Sequence, residues 1–294
     1  MRSLGDSITP LICLVISAVL NIGLDLLFVI VFDWGVAGAA WATVISQALS
    51  MISALVVGIL KNDLMHLSRK HFAMEKSIIR EMFRLGVPMA IQNALVSVSM
   101  ICLQVVINGY GTVAMAANTA VMRIEQLINQ PFSALSTALS TFTGQNMGAD
   151  RLDRVKSGLR KCIISVVVFT VSMIGVMFVF GEPIISLFVE ETEIIEIGAK
   201  GLQILSFAYI GLGLIYILRA VLSGAGDTGF IMFNGMIEVA GRIGFALLFV
   251  RIPGVGIWGI WYTTGLTWLI TGLANVVRIA GGKWKDKVVV RKAA

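Results

Sequence analysis

The sequence predicts an all-α integral membrane protein with eight transmembrane helices. Three observations carry that prediction. Hydrophobic residues make up 57% and charged residues 14% of the 294, with a mean hydropathy of +0.90, which leaves too few charges for the surface of a soluble domain this long. Apolar runs recur at the length a helix rising 1.5 Å per residue needs to cross about 30 Å of hydrocarbon. The chain also repeats itself at an offset that spans a whole number of such runs. Lipid offers the backbone no hydrogen bonds, so the runs read as helices.

In chain order the runs lie at 11–32, 36–60, 86–109, 113–141, 160–181, 198–222, 230–251 and 255–280. The first, "LICLVISAVLNIGLDLLFVIVF", carries Asn21 and, one turn later on the same face, Asp25. A short "DWG" turn makes the second run return antiparallel beside it. Residues 61–85, "KNDLMHLSRKHFAMEKSIIREMFRL", read as a cytoplasmic amphipathic linker lying along the membrane surface. The third run supplies Gln92 and Asn93. The fourth reads "NTAVMRIEQLINQPFSALSTALSTFTGQN": Arg123 and Glu125 are two apart, Glu125 shares a face with Asn129, and Pro131 removes a backbone hydrogen bond and is expected to kink the helix. The seventh holds Glu238 and Arg242, acid first and four apart, the favoured order for a helical ion pair. A basic tail, 281–294, follows the eighth.

Counting 61–85, 148–161, 219–229 and both termini as one side gives nineteen Lys and Arg, against Lys200 and Arg251 on the other. That imbalance predicts a multi-pass protein of a cell membrane with both termini cytoplasmic. The net charge of +6 then reflects topology and anionic lipid, and no nucleic-acid partner is expected. Cys13, Cys102 and Cys162 sit singly in apolar runs without metal or redox spacing.

Displaced by 221 residues, the start of the chain aligns with its end without a gap. Gly5, Asp6, Gly23, Leu26, Leu27, Phe28, Val29, Gly35, Gly38 and Thr43 all meet identical residues. The repeat pairs run one with run seven and run two with run eight, so its unit is six helices and both copies share one orientation. Residues 86–280 form a complete six-helix copy, whereas residues 1–60 supply only the last two helices of the other. The expectation is a chain lacking four preceding helices; a natural eight-helix protein is the alternative.

Counted from the turn, Asp25 and Thr43 each lie eight residues down, about 12 Å, and Asn21 is level with Gln47. Asp25, Asn21, Thr43 and Gln47 are thus the candidate cation-coupling residues. Carboxylate, amide and hydroxyl oxygens suit Na⁺, with Asp25, Asn21 and Thr43 as its ligands, and the carboxyl suits a proton. Hydrogen bonding within the bundle is the alternative. In the second copy Asn21 becomes Arg242 and Asp25 becomes Ala246. Gln92, Asn93, Arg123, Glu125, Asn129, Pro131, Glu238 and Arg242 are candidates to line a cavity; packing between helices is the competing role.

The stretches "RSLGDSITP", "NIGLD", "GVAGAAWATVISQ", "RIEQLINQPFSALSTALSTFTGQNMGA" and "LSGAGDT" together resemble the multidrug and toxic compound extrusion (MATE) family, over essentially the whole chain. The resemblance implies a twelve-helix fold of two six-helix lobes, with this chain covering the last two helices of the first lobe and all of the second. It implies export of cationic or amphipathic drugs and toxic compounds in exchange for Na⁺ or H⁺ by alternating access, with no other cofactor, in a bacterial inner membrane. One bacterial branch couples through an Asp on helix one, an Asn and Asp four apart on helix five and a Thr on helix six; the last three match Asn21, Asp25 and Thr43. Another branch carries acids on helices seven and ten, and the corresponding 86–109 and 198–222 contain none. No enzyme is expected, since no catalytic constellation or phosphate-binding loop with its Lys is present. A lipid-linked oligosaccharide flippase of related fold is the alternative, as is a non-transporting remnant or interaction module. The absent helices, or an oligomer of unknown size, are the expected protein partners.

Overall fold

The computed structural model describes residues 6, 8–61 and 75–285. Among the described residues the chain is helical without strands: α1 (Ile8–Asp25), a π-helical turn (Leu26–Val31), α2 (Gly35–Lys61), α3 (Lys76–Asn108), α4 (Thr112–Gly148), α5 (Leu152–Ile185), α6 (Thr192–Gly224), α7 (Thr228–Arg251), a 3₁₀ turn (Gly256–Trp258) and α8 (Gly259–Ala280). Six of these, α1 with its π turn, α2, α3, α5, α6 and α7, are long and apolar enough to cross a membrane. α4 and α8, which the sequence also predicts to cross, are 37 and 22 residues long and fall short by composition. α4 carries Asn118, Arg123, Glu125, Gln126, Asn129 and Gln130, and α8 carries Thr263, Thr264, Thr267 and Thr271. α3 begins at Lys76, so the end of the predicted linker is continuous with the third run; its residues 62–74, like 286–294 of the basic tail, lie outside the described residues.

The chain forms two compact units, Met1–Lys76 and Ser77–Ala294. In the first, α1 and α2 pack as an antiparallel hairpin. Its turn uses left-handed backbone at Asp33 and Gly35, both at φ 52. Trp34 donates its N–H back to Phe28 O at 3.0 Å, and its ring stacks on Phe28 at 5.1 Å. Gly38 sets the closeness of the helices: a Cβ there would stand 3.0 Å from the Phe28 backbone. At the far end the Thr9 N–H donates to Asp6 Oδ1 at 3.0 Å. The Thr9 hydrogen bonds hold the Asp6 carboxyl below the usual carboxylate range.

The second unit repeats this hairpin in α7 and α8. Gly256 takes φ 52, as its counterpart Gly35 does. A Cβ on Gly259 would meet Phe249 Cβ at 2.9 Å, repeating the Gly38 and Phe28 contact 221 residues on. Ser50 Oγ donates to Cys13 O in the first hairpin; their counterparts Thr271 and Asn234 pair with the donor exchanged, Asn234 Nδ2 to Thr271 O at 3.1 Å. The internal repeat is therefore one of register as well as of sequence.

α6 is the central helix of the second unit, packed by α4, α5, α7 and α8. Small residues let neighbours approach its backbone. A Cβ on Gly211 would lie 2.9 Å from the Leu269 backbone of α8, and one on Gly272 would lie 2.9 Å from Gly211 O. Gly211→Ala must push α8 outward and is expected to cost about 1–3 kcal/mol. A methyl group added at Gly175 in α5 would meet nothing within 4 Å, so Gly175→Ala is expected to stabilise its helix by about 0.5–1 kcal/mol. Thermal melting of the two variants in detergent, shifting in opposite directions, checks both.

Candidate functional site

Two sets of polar side chains lie inside the apolar helices, one in each unit. In the first, Asn21 and Asp25 stand one turn apart on α1, with the π-helical turn starting immediately after Asp25. Asn21 Nδ2 and Asp25 Oδ1 are buried and have no hydrogen-bond partner. Buried polar atoms are nearly always satisfied, and one left open marks a place for a ligand, an ion or an ordered water, or stored strain. Across the hairpin, Thr43 Oγ1 donates to Ala39 O at 2.9 Å, which leaves the lone pairs of an exposed hydroxyl oxygen available to a cation. Gln47 is exposed.

The levels differ from those counted along the sequence. Ser17 Oγ donates to Ser46 O at 2.8 Å, Ser50 Oγ to Cys13 O at 3.4 Å, and Gly38 lies against Phe28. Interpolated between these contacts, Asn21 is level with Thr43, and Asp25 with Ala39 and Ala40. The count from the turn treated the whole run as α-helix. A π-helical turn holds more residues per turn, so Asp25 sits nearer the turn than eight α-helical residues would put it. Gln47 then falls about one turn below Asn21.

The second unit holds a charged network across four helices. Glu238 on α7 accepts from Arg219 Nη2 of α6 at 2.7 Å and from Arg242 Nη2 at 3.3 Å. Arg242 is fully buried and donates a further hydrogen bond to Ser99 Oγ of α3. Asn234 Oδ1 accepts from Arg219 Nε at 2.9 Å and from Asn275 Nδ2 of α8 at 3.2 Å. One carboxylate thus serves two guanidiniums, each with extra hydrogen bonds, which buried charges require to offset lost hydration. The predicted Glu238 and Arg242 pair is formed. Arg219 is the member sequence reasoning missed: it lies near the end of its run, on the side that the charge count reads as cytoplasmic, where a basic residue reads as an interfacial anchor.

The remaining candidates divide. Glu125 Oε1 and Asn129 Oδ1 are both buried and unpartnered on one face of α4. Gln92 is buried, its Cγ where a Cβ on Gly235 would come to 2.9 Å. Asn93, Arg123 and Pro131 are exposed, and α4 continues as one helix through Pro131. A cleft of about 310 Å³ is lined by Gln92, Ser136, Thr137, Ser140, Arg219 and Ser223, among others. Among the described residues no cluster of His, Cys, Asp and Glu could hold a metal ion by itself.

Long apolar helices in a repeated arrangement, six of them long and apolar enough to cross a membrane, with charge buried at a few positions, define a helical membrane-protein fold. The MatE family model matches residues 88–248, and the chain belongs to that family. It is 30% identical to the probable multidrug resistance protein YpnP of Bacillus subtilis (strain 168), over 97% of this chain and 63% of that protein. It is 26% identical to the probable multidrug resistance protein NorM of Thermotoga maritima, over 99% of this chain and 64% of the other. A crystal structure of the Vibrio cholerae MATE transporter VcmN superposes with a TM-score of 0.87 at 21% identity, covering 97% of this chain and 65% of that one, which shows a shared fold. The chain spans less than two thirds of the length of the relatives it matches.

Proposed function

We propose that the chain serves secondary active export of cationic or amphipathic small molecules, in exchange for Na⁺ or H⁺, by alternating access in a bacterial cell membrane with both termini cytoplasmic. In this reading all eight helices cross the bilayer. The observation that carries it is Asp25 Oδ1, a buried acceptor without a partner in a largely apolar helix. An acid at membrane depth is costly and is a functional site by default. Asp25 supplies the charge that binds the ion, while Asn21 and Thr43 supply neutral oxygens on either side of the hairpin. A π-helical turn beside the acid fits the usual placement of such turns at functional sites.

The names of the relatives, multidrug resistance proteins and the multidrug export protein MepA of Staphylococcus saprophyticus, point to varied drugs as the cargo. A lipid-linked oligosaccharide flippase would call for a strongly cationic cleft, whereas the embedded arginines Arg219 and Arg242 are drawn onto the carboxylate of Glu238. The reading is tested in proteoliposomes loaded with a fluorescent cationic dye. Dye movement is expected to follow an imposed Na⁺ or pH gradient; movement indifferent to both gradients would overturn ion coupling.

A further inference from the structure

We propose that Glu125 is a proton-binding group of the second unit, and that it competes with Glu238 for the Arg242 guanidinium as it loses and regains its proton. The inference does not draw on the role given to Asp25.

It rests on the charge balance and the open valences around α4. Two guanidiniums, Arg219 and Arg242, share the single carboxylate of Glu238. That cluster by itself carries one positive charge in excess. Among the described residues Arg242 stands within electrostatic reach of Glu125 as well as of Glu238, so ionised Glu125 brings the set to neutrality. Neither side of this second pair is satisfied by the present bonding: Glu125 Oε1 and Arg242 Nε are both buried without partners. The Tyr209 hydroxyl of α6 is also buried and unpartnered, and it too senses the charge of Glu125. A carboxyl with one oxygen unmatched, beside two unmatched polar atoms of its neighbours, marks a group that alternates between two bonding states rather than a finished structural ion pair.

The remaining neighbours leave these groups to decide the matter. α5 brings no charged side chain between 162 and 181, α3 none between 86 and 109, and α8 none between 259 and 277. From α6 come Tyr209 and, below it, Arg219; from α7 come Arg242 and, through it, Glu238. In the neutral state Arg242 rests on Glu238, as seen here. When the O–H bond of Glu125 breaks and its proton passes to water, the new carboxylate draws Arg242 toward α4. Arg242 then gives up its bond to Glu238, so the partner of this guanidinium depends on one proton.

The test is an infrared pH-difference spectrum of the 294-residue chain in detergent. A carboxylic-acid carbonyl band is expected to appear on acidification, to vanish in Glu125→Gln, to move in Glu125→Asp and to remain in Asp25→Asn. Arg242→Lys, which keeps the charge but alters its reach, is expected to shift the pH at which the band appears. A spectrum in which the Glu125 variants leave every carboxylic-acid band in place would overturn the proposal. Should Glu125→Gln fail to fold, the Glu125→Asp shift decides. Loss of dye efflux in Asp25→Asn with the Glu125 band intact would separate the two sites.

Discussion

Asp25→Asn is expected to lower ion-driven dye efflux by about 5- to 150-fold, the factor that corresponds to one coupling free energy of roughly 1–3 kcal/mol. The substitution keeps size and hydrogen-bonding capacity but removes the only charge on α1 between Ile8 and its end. A cation entering the hairpin would then have amide and hydroxyl oxygens to bind and no net attraction to offset lost hydration. Dye retained by simple affinity should still bind, because the loss is in coupling rather than in fold. The measurement is efflux from cells or vesicles with and without the substitution, at matched protein level. Efflux that survives unchanged would remove Asp25 from the coupling site.

Glu238→Leu should be the most destabilising single change in the second unit. It takes the shared carboxylate from Arg219 at 2.7 Å and from Arg242 at 3.3 Å, and leaves a fully buried guanidinium facing apolar neighbours. Removing one partner of a buried ion pair costs about 3–5 kcal/mol, and here two cations lose theirs. Glu238→Gln should cost less, since an amide oxygen still accepts one of the two hydrogen bonds. Thermal melting of both variants checks the order. Equal melting for Glu238→Leu and the parent would mean that the arginines find water or lipid phosphate instead.

Much of the architecture is legible in the sequence because membrane helices advertise themselves by length and apolarity. The runs predicted at 36–60 and 230–251 correspond to α2 and α7 to within a few residues. The repeat is legible because Gly35, Gly38 and Phe28 recur at Gly256, Gly259 and Phe249, positions where turn geometry and helix approach leave little choice. What escapes sequence reading is whatever depends on helix phase and packing. The π-helical turn at Leu26–Val31 has no composition of its own, yet it alters the level of every residue before it. Arg219 looks like an interfacial anchor until α6 and α7 are packed and its side chain reaches Glu238. Glu125 and Asn129 share a face by spacing alone, but only the fold brings Tyr209 and Arg242 within electrostatic reach of Glu125.

The duplicated hairpin has a practical consequence for mutagenesis. Its geometry is decided by a left-handed glycine and by a second glycine pressed on a phenylalanine, and both copies meet those demands with opposite chemistry at the equivalent helix positions: Asn21 and Asp25 in one, Arg242 and Ala246 in the other. The scaffold and the charge-bearing positions are thus separable modules. Exchanging the side chains at 21 and 25 should act as a change of cargo on an unaltered chassis, so a loss of transport there can be read as chemistry instead of misfolding.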